Sequence, residues 1–463
     1  MTARWECPPP RAPDPRPPRA LASSTAIIPA TRKRVLSIAA TDRIMQLSSS
    51  IRLSRNNTGR SIRPIAILCG YLPIGGDISM NALRVTLFSL IASLSVPSVA
   101  QEGYIVGLSG AVTGPLSNIL GPSVDGIRIY LDRINAAGGI HGKPVRLLVR
   151  DDQSEASKGA ANAKRLVTQD NVHLLINASS SATYQPTIAE AKRAGTPLIF
   201  GGVCPTEVYP PAQAFLFCTT SFAARYDSRA ALDFIKETAG TTDLSVGLMS
   251  MAIPVARAEI DFAEIRSKEM GMRPVDKELM PPATADFTPF ATKLSGAKPD
   301  WIWSWTAWDL QAGAYEATRR LGWKGKFVGW AHIQAEDSIA AFRDPNLYVI
   351  GTNAFFSESL PVQQEITAAA KAAGIAYPAS RLAEGWITGM AIEAALKAAG
   401  WPATPAKVNA AMESIKIDTK GLRGDVIEWS KDNHFRTRQS YRIYRWNNGK
   451  IEAVGGWRKY DVQ

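Results

Sequence analysis

A few residues in this chain are of types that could do chemistry, and their spacing decides what each can do. Ser109 follows an apolar strand in Gly107-Leu108-Ser109-Gly110, one glycine short of the strained turn that exposes a serine nucleophile. Asp151 and Asp152 end the next apolar strand, where an acid pair could work, but Ser154 beside them favours plain loop and cap hydrogen bonds. His332 is a lone imidazole, better suited to a polar contact than to acid or base work. Neither GxGxxG nor GxxxxGK[ST] follows a strand, so nucleotide phosphates have no cradle. Two thiols, Cys204 and Cys218, with four scattered histidines do not make a metal set.

The remaining chemistry is that of binding. Ala178-Ser179-Ser180-Ser181-Ala182-Thr183 brings hydroxyls and backbone N–H groups to the start of a helix that carries Pro186, an arrangement that attracts anions. The same residues would also serve as simple helix caps. After the next strand, Gly201-Gly202-Val203-Cys204-Pro205 lets backbone approach a ligand closely. Trp301, Trp303 and Trp305 share one face of a strand, and Trp308 is expected on the loop after it. Trp301 and Trp303 are expected in the core. Trp305 and Trp308 fall at the C-terminal edge, where at least one should line a pocket.

Alternating strands and helices must position these groups. Residues 104–108 (YIVGL) form a strand, a glycine-rich loop follows at 109–115, and Val124, Ile127, Leu131 and Ile134 recur at helical spacing. Gly138 and Gly139 end that helix, and 145–149 is the next strand. Such a unit makes its strands parallel and opens the first loop at the ligand-bearing edge. Strands at 172–176, 197–200 and 215–218 continue the sheet, and 245–249, 301–305 and 326–329 belong to a second series.

The run NAAGGIHGKPVRLLVRDD, with its helix, double glycine, Gly142, Lys143 and a strand ending in Asp151 and Asp152, resembles the periplasmic solute-binding proteins of branched-chain amino-acid ABC transporters. By order of elements the resemblance extends from about residue 103 to about 456. It implies an α/β fold of two doubly wound, Rossmann-like lobes joined by a three-segment hinge, the type 1 periplasmic binding fold. Lobe 1 would take residues 103–220 and 353–438, and lobe 2 residues 221–352 and 439–463, with crossings near 219–221, 351–353 and 437–440.

The same resemblance implies a ligand cleft lined by Asn118, Ser179, Ser180, Thr183, Gly202, Val203, Cys204, Phe222, Trp305, Trp308, Trp330 and Ala331, and it puts the loop of His332 at the cleft. In the family the Ser/Thr loop holds the ligand carboxylate. Two departures stand out. Val203 occupies a place where amino-acid binders commonly carry Thr, and Ala331 aligns with their Glu, the partner of the α-ammonium.

The first hundred residues differ from the rest. Residues 1–79, with PPPRAPDPRPPRA, have no periodic segment and are expected to be a disordered leader outside the native product, read from an upstream start that is not used. Residues 80–100 have the form of a signal peptide: Arg84, an apolar run at 85–96, then Ser98-Val99-Ala100, with cleavage expected after Ala100. That run is too short for a transmembrane helix, which takes about 20 residues. The leader carries 12 Lys plus Arg against 4 Asp plus Glu, which is +8 of the chain's formal +12; Arg84 adds +1, so residues 101–463 hold +3. A charge this small gives no ground for a nucleic-acid surface on the folded part. Cys7 and Cys69 lie in the leader, so only Cys204 and Cys218 would reach an oxidising compartment. The sequence leaves open whether that pair is bridged.

The reading is an extracytoplasmic solute-binding component of an ABC uptake transporter, monomeric, without catalysis or cofactor, serving membrane permease subunits. A small aromatic or apolar carboxylate is the expected ligand, because a buried ammonium would lack its acid. The alternatives are branched-chain or other amino-acid binding in the same class, and a type 1 ligand-sensing regulator such as an amide sensor. A regulator would need a helix-turn-helix or partner surface that residues 1–79 do not contain.

Overall fold

The computed structural model describes residues 102–220, 222–223, 225–331 and 335–462. The expected leader and signal segment, Cys7, Cys69 and His332 lie outside them.

Short, largely apolar segments build a first, parallel sheet, with VRLLVRD at its edge. Its strands β1 (Tyr104–Gly110), β2 (Val145–Asp151), β3 (Leu174–Ala178), β4 (Leu198–Phe200) and β5 (Leu216–Cys218) lie in the order β2-β1-β3-β4-β5. Strands β3 to β5 are buried throughout, as helices on both faces of a parallel sheet require. Helices α1 (Ser117–Ala136), α2 (Ala156–Thr168) and α3 (Tyr184–Ala194) make the crossovers. Helix α1 stops where Gly139 takes φ +77° and returns its N–H to the Ile134 carbonyl at 2.9 Å.

The chain then repeats the pattern. Helix α4 (Tyr226–Ala239) leads into β6 (Ser245–Met251), α5 (Pro254–Glu269), β7 (Arg273–Met280), α6 (Thr288–Gly296), β8 (Trp301–Trp305), α7 (Trp308–Arg320), β9 (Lys326–Trp330), α8 (Ala335–Phe342) and β10 (Leu347–Gly351). The strands lie in the order β7-β6-β8-β9-β10, again parallel. Trp308 is not on a loop, as the spacing suggested, but is the first residue of α7.

Helices α9 (Pro361–Ala372), α10 (Ala383–Ala399) and α11 (Pro405–Met412) follow, with the short pair β11 (Lys416–Ile417) and β12 (Ile427–Glu428). Helix α10 runs against α1 with no room between the backbones. A Cβ on Gly385 would fall 1.9 Å from the Ser123 carbonyl oxygen. Strand β13 (Arg438–Asn447) then joins the second sheet antiparallel to β10 and carries β14 (Lys450–Ala453) and β15 (Arg458–Asp461).

The apolar core divides accordingly. Two clusters serve the first sheet and draw on residues between Tyr104 and Ala223, between Val362 and Phe435, and on Val462. A third serves the second sheet but reaches across to Ala111 just after β1 and to Leu116, Ile119 and Leu120 at the start of α1. The chain passes between the sheets three times, at about 219–225, 352–355 and 429–437. Two buried arginines tie these passages together. Arg423 donates to the Thr220 carbonyl at 3.2 Å, to Asn353 Oδ1 at 3.0 Å and to Glu384 at 2.9 Å. Arg436 donates to the same Thr220 carbonyl and to Gln439 at 2.9 Å.

Candidate functional site

Both sheets have a topological switch point, between β1 and β3 in the first and between β6 and β8 in the second. Open α/β sheets bind ligands in the crevice at that point, beyond the carboxyl ends of the strands. Here the two crevices meet in one partly open cavity. Ser179 and Ser180 stand at the end of β3, Gly202 and Val203 beyond β4, Met251 and Ile253 at the end of β6, and Trp305, Thr306 and Ala307 at the end of β8. Leu116, Ile119 and Leu120 of α1 and its approach, with Phe222 from the first passage, complete the wall.

The hydroxyl side rests on a buried acid. Asp152 accepts from Ser109 Oγ at 2.8 Å, from Ser179 Oγ at 2.6 Å and from the Ser154 N–H at 2.9 Å. Burial pushes its carboxyl up, and those three donors pull against the rise. Because the Ser179 hydroxyl proton points to Asp152, this hydroxyl can offer a ligand only an acceptor. Thr183 does not line the cavity but braces it from behind, donating to the Ser180 carbonyl at 2.9 Å and accepting from Asn177 at 3.0 Å. The loop is a 3-10 turn over Ser181–Thr183, and α3 begins only at Tyr184. The Tyr184 hydroxyl donates to the Val203 carbonyl and accepts from the Val203 N–H, both at 2.7 Å, which fixes the second loop. Cys204 and Cys218 are joined by a disulfide across 14 residues of chain, which anchors that loop to β5 behind the cavity. Closing a loop of that length contributes about 3 kcal/mol in the chain-entropy model.

The aromatic side is a packed group of rings. Phe222 meets Trp305 edge to face with centroids 5.2 Å apart, and it meets Trp330 at 5.2 Å. Trp305 lines the cavity, whereas Trp330 is fully buried behind Phe222. Trp308 is also buried, against Gly329 of β9, where a Cβ would come within 3.0 Å of its ring. Asn118 is exposed on the first turn of α1 and is not part of the wall. Ala331 borders a second, partly open cavity together with Glu336, Asn353, Phe355 and Glu384.

Of the twelve candidate residues, the fold therefore gathers Ser179, Ser180, Gly202, Val203, Phe222 and Trp305 around the first cavity. Leu116, Ile119, Leu120, Met251, Ile253, Thr306 and Ala307 join them without having been singled out by sequence. The signal that could have found the last four is positional: each lies at or just beyond the carboxyl end of β6 or β8, a place defined only once the strand order is known. None of the lining residues carries a charge among the described residues. No group of three or more His, Cys, Asp or Glu is placed to hold a metal among them either, nor is any helix there long and apolar enough to cross a membrane.

One parallel sheet and one mixed sheet whose parallel part repeats the pattern, with facing switch points and three connecting passages, define a two-lobed binding fold. Residues 104–450 match the periplasmic binding protein family, and the chain belongs to it. It is 22% identical over 381 residues to the Leu/Ile/Val-binding protein BraC3 of Rhizobium johnstonii, covering 80% of this chain and 99% of that one. Among solved structures, a branched chain amino acid ABC transporter protein from Thermus thermophilus with bound valine superposes with a TM-score of 0.69 at 18% identity, covering 77% of this chain and 96% of its own. A solute binding protein of an ABC transporter from Rhodopseudomonas palustris BisB5, in complex with 3,4-dihydroxy benzoic acid, gives 0.65 at 20% identity, covering 78% and 98%. The fold is that of the branched-chain amino-acid ABC transporter binding proteins.

Proposed function

We propose that the chain is the extracytoplasmic solute-binding component of an ABC uptake transporter, that it delivers its ligand to membrane permease subunits, and that the ligand is a small aromatic or apolar carboxylate. The observation that carries this reading is the composition of the first cavity: Phe222, Trp305 and aliphatic side chains on most sides, serine hydroxyls on one, and no charged side chain among the described lining residues. Aromatic rings of a ligand would stack against Trp305 and Phe222. Its carboxylate would take the Ser180 hydroxyl and backbone N–H groups of the loops after β3 and β4, charge-assisted bonds worth about 1.5 to 3 kcal/mol each. A zwitterion would bring an ammonium with no acid to meet it.

The working motion is closure of the lobes about the three passages, driven by contacts the ligand makes with both. Addition of 4-hydroxybenzoate should raise the melting temperature as its concentration exceeds Kd, and small-angle scattering should show a more compact particle. Chemical turnover of the bound acid would refute the transport reading. Export by the segment 80–100 belongs to the same proposal, so N-terminal sequencing of the exported protein should begin at Gln101. A mature chain that retains residues before Met80 would contradict it.

A further inference from the structure

The cavity's aromatic wall depends on a carboxylate that does not face the cavity. Trp303 and Trp305 are two residues apart on β8 and so lie on one face of the sheet. Both indole N–H groups run to the first turn of α4: Trp305 Nε1 donates to Asp227 Oδ2 at 2.8 Å, and Trp303 Nε1 to Ser228 Oγ at 3.0 Å. Asp227 is 0% exposed. The same Oδ2 accepts from the Ala223 N–H at 3.0 Å, and Oδ1 accepts from the Tyr441 hydroxyl at 2.6 Å. Ala223 follows Phe222, and Tyr441 packs against Trp330 with centroids 6.2 Å apart. One carboxylate thus ties Trp305 directly, Phe222 through the next peptide, and Trp330 through Tyr441. Glu259 of α5 secures the turn from the other side, accepting from the Ser228 N–H at 2.9 Å and from the Arg225 N–H.

We infer that Asp227 is a positioning residue that sets the preference of the cavity for aromatic ligands. The inference rests on the proposed aromatic-acid reading for its consequence, but its geometry does not. An indole has one hydrogen-bond donor, so a fixed acceptor for it fixes the ring's orientation about its long axis. The acceptor is held in turn by the helix start and by β13, which joins the second sheet only after the third passage. An isolated cap would need only the backbone N–H. The Trp305 and Tyr441 side chains, 78 and 214 residues away, are what a device for arranging rings adds.

Two measurements test it. In the wild-type chain, the indole N–H resonance of Trp305, assigned by its loss in Trp305→Phe, should be protected from exchange with D2O before any ligand is added. Exchange as fast as that of an exposed tryptophan overturns the inference whether or not acids bind. Calorimetry then compares 4-hydroxybenzoate with isovalerate, an acid with no ring. Asp227→Ala should lower the preference for the aromatic acid by about tenfold, and Asp227→Asn should restore it. The amide keeps an oxygen towards Trp305 and Ala223, while its NH₂ donates to a Tyr441 hydroxyl turned to accept. A merely structural cap would lower the melting temperature of Asp227→Ala and leave the ratio of the two affinities unchanged, which would sink the inference. Absence of binding by wild type to either acid would instead count against the proposed ligand class and leave the exchange result to decide.

Discussion

Titration calorimetry of the mature chain should give saturable heat with benzoate- and cinnamate-type acids and none with leucine at the same concentrations. Leucine would place an ammonium in a cavity whose described lining has no carboxylate. Asp152 stands behind Ser179 and is occupied by three donors, and Asp227 stands behind Trp305 and is likewise occupied. A buried charge deprived of its partner costs about 3 to 5 kcal/mol. At about 1.4 kcal/mol per decade this is a hundredfold to a few thousandfold in Kd. Tight leucine binding with no response to the aromatic acids would show that an acid reaches the ligand from outside this lining. Glu336, at the second cavity, is the first residue to replace in that event.

Loss of the Arg423 guanidinium should be the most damaging single change away from the cavity. Arg423 and Glu384 are 6% and 5% exposed and 2.9 Å apart, and the guanidinium also holds Thr220 and Asn353 from two of the three passages. Arg423→Met takes the guanidinium from Glu384, which stays buried and hydrogen-bonded to Asn353, at a cost of about 3 to 5 kcal/mol in urea unfolding. Adding Glu384→Gln to that variant should recover part of the loss, because it removes the stranded charge rather than a contact. A double variant less stable than Arg423→Met by the full effect of Glu384→Gln alone would mean that the two residues are not coupled.

Much of the architecture was legible in the chain because parallel strands buried on both faces read as apolar runs, and the βαβ unit at 104–151 shows every joint in order. Strand β7 was not legible. Its segment RPVDKELM begins with Arg-Pro, alternates exposed with half-buried residues over 273–277 at the sheet's edge and carries three charges besides Arg273, so it has the composition of a loop. The ring ladder of β8 was visible from its period of two, but Trp308 was not placeable, since nothing in Trp305-Thr306-Ala307-Trp308 shows that α7 starts at once and turns that ring onto Gly329.

The site divides in the same way. Ser179, Ser180 and Gly202 follow strand ends that the pattern reveals. Leu116, Ile119 and Leu120 have the ordinary spacing of a core-facing helix start, and only the second sheet's position makes them a cavity wall. Asp227 resembles any acid in the first turn of a helix. Its role depends on partners 78 and 214 residues distant, which no local pattern encodes.

A crystal structure of the chain grown with 4-hydroxybenzoate would locate the acid itself. Density for the acid is expected in the cavity between Ser180 and Trp305, with its ring against Trp305 and Phe222 and its carboxylate towards the loops after β3 and β4. Density for the acid at another place, or leucine from the expression host occupying this cavity with its ammonium paired to an acid, would contradict the proposed function.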